Sequence, residues 1–360
     1  MKNKSHSFPF PKLIKKSSTF GLILLLAWTL IQLGDGIYSS QSEPVKLPGS
    51  NEPVELYSNQ TNDNLTNLFT DSIKNAQHSI NLAIYALIDE NIVKALHDKS
   101  IEGIPVYIVC DAKASPGITR KLPHATIIRR TGSGLMHQKI LVIDEKQIIV
   151  GSANLTYSSL HIHGNLVLGF ENPALAQSLC SRIKSMDEDG TTLPSFYRET
   201  MADSQKVEFW ILPNDTDAVT RMIQLFRSAQ KSIRVAMFTW TRIDFTQELI
   251  AAAARGVKVE AVLDRYAGKG ANAKIVEMLA KAKIFVALST GKGLLHHKFA
   301  IIDNTLVCGS ANWTGLAFKS NDDYLVIIDP LTTDQKTKLN QLWDVIKKQS
   351  ACPQGRNKKK

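Results

Sequence analysis

The stretch Leu135-Met-His-Gln-Lys-Ile-Leu-Val-Ile-Asp-Glu-Lys-Gln-Ile-Ile-Val-Gly-Ser-Ala-Asn154 returns later in the chain as Leu294-Leu-His-His-Lys-Phe-Ala-Ile-Ile-Asp-Asn-Thr-Leu-Val-Cys-Gly-Ser-Ala-Asn312. Both read His-x-Lys, an apolar run, Asp, a second apolar run and Gly-Ser-Ala-Asn. Apolar runs of four or five residues bounded by turn residues predict buried strands, so each stretch is a β-hairpin turning at Asp144-Glu-Lys-Gln147 or just after Asp303. Side chains alternate along a strand, which puts His137 and Lys139 on one face and His296 and Lys298 on the corresponding face of the other hairpin.

Working outward, the likeness extends upstream. Val54-Glu-Leu returns as Val207-Glu-Phe, Ala76-Gln-His-Ser-Ile80 as Ala229-Gln-Lys-Ser-Ile233, and Gly103-Ile-Pro-Val with Asp111 as Gly256-Val-Lys-Val with Asp264, all at an offset of 153. The offset becomes 159 at the His-x-Lys pair and 158 at Gly-Ser-Ala-Asn. The second copy therefore carries six extra residues between Asp264 and His296 and one fewer in the turn after Asp303. The chain is a tandem duplication. Repeat 1 is placed at 54–171, a connector with a helix and polar coil at 172–206, repeat 2 at 207–330, a terminal helix at 331–350 and a basic tail at 351–360. Within each copy, apolar β-type runs alternate with helical stretches, the pattern of an α/β layered domain. In copy 1 these are strands at 79–86, 106–110, 126–129 and 138–143, with a helix at 89–100. In copy 2 the strands are 233–239, 257–263, 284–288, 298–302 and 306–308, with a helix at 247–255.

Composition narrows the field less than the duplication does. With 44% hydrophobic and 21% charged residues in 360, the chain is neither disordered nor fibrous. The net charge of +10 is carried by the ends: five lysines precede residue 17 and four basic residues follow residue 355, leaving +1 between them. The pI is thus weak evidence for a nucleic-acid surface. Lys12, Lys15 and Lys16 precede the apolar run from Phe20 to Ile31, the layout of a signal peptide or N-terminal anchor over residues 1–36. Positive-inside logic then places the remaining chain across the membrane, exported or membrane-anchored. Cys110 and Cys308 end apolar runs and read as core residues, while Cys180 and Cys352 could pair if the fold brings them together. The Cys and His spacings match no metal site, and His161 and His163 read as loop residues.

The paired His-x-Lys-x4-Asp and Gly-Ser-x-Asn segments resemble the HKD motifs of the phospholipase D superfamily, and the resemblance covers roughly residues 54–330. It implies two sheet-and-helix lobes related by a pseudo-twofold axis, with one active site at their interface. It also implies phosphodiester cleavage through a phosphohistidine, without cofactor or metal. Carried over residue by residue, the catalytic set is His137, Lys139, Asp144, His296, Lys298, Asp303 and Asp323, with Asp144 and Asp303 in a supporting role as turn caps. Ser152, Asn154, Ser310 and Asn312 are the phosphate-binding set. The chemistry fits these types: neutral imidazole can attack, imidazolium can donate a proton, and ammonium groups neutralise the developing charge. Glycines in Thr131-Gly-Ser-Gly134 and Gly291-Lys-Gly293 are expected to let substrate approach the backbone. The family places an acidic residue after Gly-Ser-x-Asn that orients the histidine of the opposite half. Asp323 stands there in copy 2, but copy 1 has Asn165, which breaks the symmetry and predicts that His137 is the nucleophile.

Lipid hydrolysis, phosphatidyl transfer of the cardiolipin synthase kind and nucleic-acid cleavage all share this architecture. The membrane-directing segment, the neutral middle of the chain and the apolar residues Leu135-Met136 and Leu294-Leu295 favour a phospholipid substrate and a membrane surface as partners. Nucleic acid ranks behind them, resting on a modest basic set of Arg120, Lys121, Arg129, Arg130, Lys269 and Lys292. A silent binding module conflicts with two intact motifs, and both motifs in one chain imply a monomer.

Overall fold

The computed structural model describes residues 45–191, 193–213 and 216–353. The N-terminal segment and the last residues of the basic tail lie outside them. The described residues belong to one compact unit that begins at Val45.

Copy 1 contributes strands β1 (Glu55–Tyr57), β2 (Ile80–Ile84), β3 (Val106–Asp111), β4 (Thr126–Arg130), β5 (Lys139–Ile143), β6 (Gln147–Gly151) and β7 (Val167–Glu171). Its helices are α1 (Leu65–Lys74), α2 (Glu90–Ile101), α3 (Ile118–Lys121) and α4 (Tyr157–His161). Helix α5 (Pro173–Lys184) and strand β8 (Phe196–Ala202) follow. Copy 2 then runs β9 (Gln205–Leu212), α6 (Thr216–Ser228), β10 (Ser232–Met237), α7 (Ile243–Ala254), β11 (Lys258–Leu263), α8 (Arg265–Gly268), α9 (Ala273–Lys281), β12 (Phe285–Ser289), β13 (Lys298–Ile302), β14 (Thr305–Gly309), α10 (Gly315–Lys319) and β15 (Asp323–Asp329). Helix α11 (Thr333–Lys348) and β16 (Ser350–Ala351) end the described chain.

The duplication is written into the sheets. The seven-stranded sheet has the order β1-β7-β6-β5-β2-β3-β4, and the nine-stranded sheet repeats that order with β8 and β16 added at its edges. In each, three parallel strands joined by helical crossovers meet an antiparallel set through the His-x-Lys strand. Strands β2, β5 and β13 are buried along their whole length, as continuous apolar runs demand. The six extra residues of copy 2 lengthen a crossover helix, so that α9 has nine residues where α3 has four. The connector is not only helix and coil: β8 hydrogen-bonds along β9, and the exposure of most of its residues between buried Phe196 and Ala202 suits an edge strand. Ala351, expected in the tail, pairs with Leu288 as part of β16.

Three apolar cores result. One lies under α1 and α2 on the outer face of the first sheet, and a second under α6, α7 and α9 on the outer face of the other. The third joins the inner faces of both sheets, with Ile140, Val142, Phe299 and Ile301 packed together with residues of α5 and α11. It holds the copies face to face, the arrangement a pseudo-twofold relation requires. The cysteines are all unpaired; Cys180 is sealed in the inner core while Cys352 is exposed.

Candidate active site

Both His-x-Lys segments sit at the same edge of their sheets, where β5 and β13 begin beside the ends of β2 and β10. The copies cross there. His137 N donates to Asp322 O at 2.9 Å and Asp322 N to Leu135 O at 2.8 Å; in the mirrored position Gly164 N donates to Leu294 O at 2.9 Å. Loop side chains repeat the exchange, since Leu135 N donates to Asn321 Oδ1 and Leu294 N to His163 Nδ1, both at 3.1 Å. Gly134 and Gly293 serve this crossing, which corrects the expectation that they admit substrate. A Cβ on Gly134 would lie 1.7 Å from Ser320 O, and one on Gly293 would lie 2.2 Å from Ile162 O.

The exchange delivers each histidine its orienting partner from the other copy. His137 Nδ1 is 2.8 Å from Asp323 Oδ1, and His296 Nδ1 is 3.0 Å from Asn165 Oδ1. The Asn165 amide is fixed by its surroundings: Nδ2 donates to Ser159 O and His163 O, so Oδ1 is the acceptor, shared with Ser152 Oγ–H at 2.8 Å. Both rings therefore carry their proton on Nδ1 and leave the Nε2 lone pair free for chemistry. Ser310 Oγ donates to Asp323 Oδ1 at 2.6 Å. Ser152 and Ser310 are thus not phosphate ligands. Each is buried, donates to an orienting side chain and accepts a backbone N–H, from Leu166 and Tyr324 respectively.

Lys139 Nζ donates to His137 O at 2.6 Å and Lys298 Nζ to His296 O at 2.9 Å. An aromatic residue flanks each motif. The Tyr85 ring meets His137 edge-on at 5.4 Å and lies 5.4 Å from Lys139 Nζ; Phe238 stands 5.1 Å from His296 and 5.2 Å from Lys298 Nζ. Asn154 and Asn312 lie at the same edge, half-buried. Asn312 Oδ1 accepts from Thr239 N, which leaves its Nδ2 as the donor for an anion, while the buried Oδ1 of Asn154 has no protein partner.

Asp144 and Asp303 lie elsewhere. Each takes positive φ at the far end of its hairpin strand, and each carboxylate accepts three consecutive backbone N–H groups, from 77–79 and 230–232. Five residues of strand, about 16 Å, separate them from the lysines. They clamp the hairpins, the supporting role as turn caps expected of them, and stand away from the reacting groups. His161 bonds Thr66 Oγ1, and the basic set loses Arg130, which is buried against Asp322 and Asp187.

Charge is concentrated and desolvated. Burial pushes Lys139 down to about 7, and burial with Lys139 nearby pushes Lys298 well below the ordinary lysine range. Burial also lowers both histidines, and each feels both lysines, which makes the two motifs one electrostatic cluster. Despite burial, Asp323 is held below the usual carboxylate range by His137 and Lys139. Burial thus disfavours the charged forms of both lysines and both histidines, while Asp323 is biased toward its carboxylate.

Tyr324 escaped the sequence reading. Its buried hydroxyl accepts from Gly151 N at 2.6 Å and lies within 2.9 Å of the Lys139 and Gly151 carbonyls, tying copy 2 to both motif segments of copy 1. Copy 1 has Leu166 at the matching place, so self-comparison gives no signal for it. Tyr85 and Phe238 were visible in principle, since they match at the offset of 153 and are aromatic in both copies.

A two-copy fold that trades orienting residues across its interface defines a class of tandem His-x-Lys proteins, and the comparisons place the chain within it. The profile described as "Cardiolipin synthase, PLD-like domain" matches residues 69–186 and again 222–343. The chain belongs to this PLD-like family of the phospholipase D superfamily. Among curated relatives, the mitochondrial cardiolipin hydrolase of Xenopus laevis is 30% identical over 138 residues, covering 37% of this chain and 64% of the relative. The phospholipase D of Rickettsia typhi is 36% identical over 109 residues, covering 30% and 53%. The chain thus spans less than two thirds of the length of these relatives. The phosphatidylserine synthase of Haemophilus influenzae Rd KW20 superposes with a TM-score of 0.66 at 14% identity, covering 85% of this chain and 89% of that one. That likeness shows the fold. Among the described residues no helix is long and apolar enough to cross a membrane.

Proposed function

We propose that the chain is a phospholipase D-type phosphodiesterase that cleaves phospholipids through a phosphohistidine on His137. His137 Nε2 attacks phosphorus while the bond to the leaving oxygen breaks, and His296 Nε2–H protonates that oxygen. His296 then deprotonates water, which attacks phosphorus and breaks the N–P bond. An alcohol in place of water gives transfer instead of hydrolysis, by the same two steps. Lys139, Lys298, Asn154 and Asn312 hold the phosphate oxygens. The anionic substrate restores protons to the lysines and to His296, which the free site holds back.

The observation that carries the role assignment is the unequal orienting pair. Ionised Asp323 at 2.8 Å stabilises the positive imidazole that forms when Nε2 bonds phosphorus, whereas neutral Asn165 fixes the tautomer of His296 without holding charge. A phospholipid is favoured by relatives named as cardiolipin hydrolase and phospholipase D, by the N-terminal lysines and apolar run, and by the loss of Arg130 from the basic set. The enzyme works as a monomer on a membrane surface, exported or anchored by residues 1–36. With a p-nitrophenyl phosphodiester, whose leaving group needs no proton, His296→Ala should accumulate phosphohistidine and His137→Ala should form none. A label on His296 in the His137 variant would overturn the roles. Incubation with phosphatidylcholine, phosphatidylglycerol, cardiolipin and single-stranded DNA tests the substrate; cleavage of DNA alone would refute the lipid.

A further inference from the structure

The loops at the edge that carries the site expose large apolar side chains. Ile88 is 44% exposed, Tyr157 65%, Tyr266 59% and Leu316 68%. Ile88 N donates to Leu155 O, which places it beside the Asn154 loop. Tyr157 and Leu316 stand on the first turns of α4 and α10, the matching helices that follow the two Gly-Ser-Ala-Asn segments. Tyr266 follows β11, and in the matching turn after β3 copy 1 exposes Lys113. None of the four is needed to fill a core, and together they give a soluble surface an apolar rim drawn from both copies.

The charges of these loops are sorted. Asp89, Asp111 and Asp264 are buried and accept backbone N–H groups of the turns that follow them, while Asp244 is paired with Arg242. Lys113 and Lys269 are exposed, against one exposed acid, Glu90, on the first turn of α2. An apolar rim flanked by an exposed lysine from each copy complements an anionic bilayer, where apolar side chains enter the acyl boundary and ammonium groups meet lipid phosphates. Tyr157 and Tyr266 offer rings on which bases could stack but Ile88 and Leu316 do not, so single-stranded nucleic acid matches only half of the rim.

We propose that this rim docks the protein on an anionic lipid surface with the catalytic edge facing the bilayer, a proposal that rests on the lipid reading above. Its test uses the full chain with Cys352→Ser as background and an environment-sensitive fluorophore on Leu316→Cys, or on Ile101→Cys at the opposite edge. An N-terminal apolar run can hold the chain on a vesicle without putting residue 316 among acyl chains, so the readout is specific to the rim. Vesicles of phosphatidylglycerol should blue-shift the label at 316 and allow quenching by doxyl lipid, with no change at 101. Lys113→Glu with Lys269→Glu should lower the inserted fraction about tenfold. Equal responses at 316 and 101, no response at 316, or a larger response to an oligonucleotide than to vesicles would each overturn the proposal. The label needs no turnover, so insertion without lipid cleavage supports the docking while refuting the substrate. In a lipid-cleaving enzyme, Tyr157→Ser with Leu316→Ser should keep turnover of soluble bis(p-nitrophenyl) phosphate and lose about tenfold on vesicles.

Discussion

Asp323→Asn isolates the difference in charge between the two orienting side chains. Copy 1 supplies the template for the variant, since Asn165 already sits between a serine hydroxyl and a histidine Nδ1 in the matching place. Fold and tautomer should therefore survive, and only the negative charge is lost. Asp323 is fully buried and meets His137 Nδ1 at 2.8 Å, so its charge acts in a poorly screened setting on an imidazole that becomes cationic during attack. A charge-assisted hydrogen bond of this kind contributes about 3 kcal/mol. At about 1.4 kcal/mol per tenfold, phosphohistidine formation should slow about 10²-fold. Rapid-quench measurement of the labelled enzyme gives that rate directly, and a melting curve checks the fold. Adding Asn165→Asp to this variant moves the carboxylate to His296, and the covalent label should move with it. A single variant within about threefold of the parent, or a double variant still labelled on His137, would refute the argument.

Gly134→Ala should cost about 3 kcal/mol or more by driving a methyl into Ser320 O, whereas Gly315→Ala, with nothing within 4 Å, should be nearly neutral in thermal melts. Asp144→Ala should lower stability by about 2 kcal/mol through three freed N–H groups while leaving kcat of the folded enzyme unchanged; a selective fall in kcat would return Asp144 to the site. Tyr324→Phe should destabilise by about 1–2 kcal/mol and reduce turnover, because Gly151 N loses its acceptor. Since Lys139 is lowered to about 7 from 10.5, the unfolded chain binds a proton that the native chain lacks between those values, and this residue's contribution makes stability rise with pH across that window. A bound dianion reprotonates the lysine, so sulfate should raise Tm more near about pH 6 than near about pH 9, and equal shifts would contradict it.

Duplication and motif together made the strands and the His and Lys pairs legible, because buried runs and fixed spacings are local signals, whereas the strand order within each sheet was not. The trade of Asp323 for Asn165 was legible too, but only through the family resemblance. What stayed hidden depends on which backbones cross. Gly134 and Gly293 read as room for substrate because a sequence does not say that Ser320 and Ile162 will lie against them. Ser152 and Ser310 read as phosphate ligands because a hydroxyl beside a site has many possible partners, and the copy-matched acceptors Asn165 and Asp323 take them. Asp144 and Asp303 keep their place in the motif for the hairpin's sake, at the wrong end of the strand for chemistry.

The crossing by which each copy orients the other's histidine also bears on what a single copy could become. Were one copy to assemble as a homodimer about a true twofold axis, any residue at the orienting position would appear twice, and both histidines would carry the same charge partner. Such a pair could split the two roles only by chance at each encounter with substrate. Joining the copies in one polypeptide lifts that constraint. Position 165 can drift to a neutral amide while position 323 keeps its carboxylate, so the inequality of the two histidines is written into the chain and inherited with it.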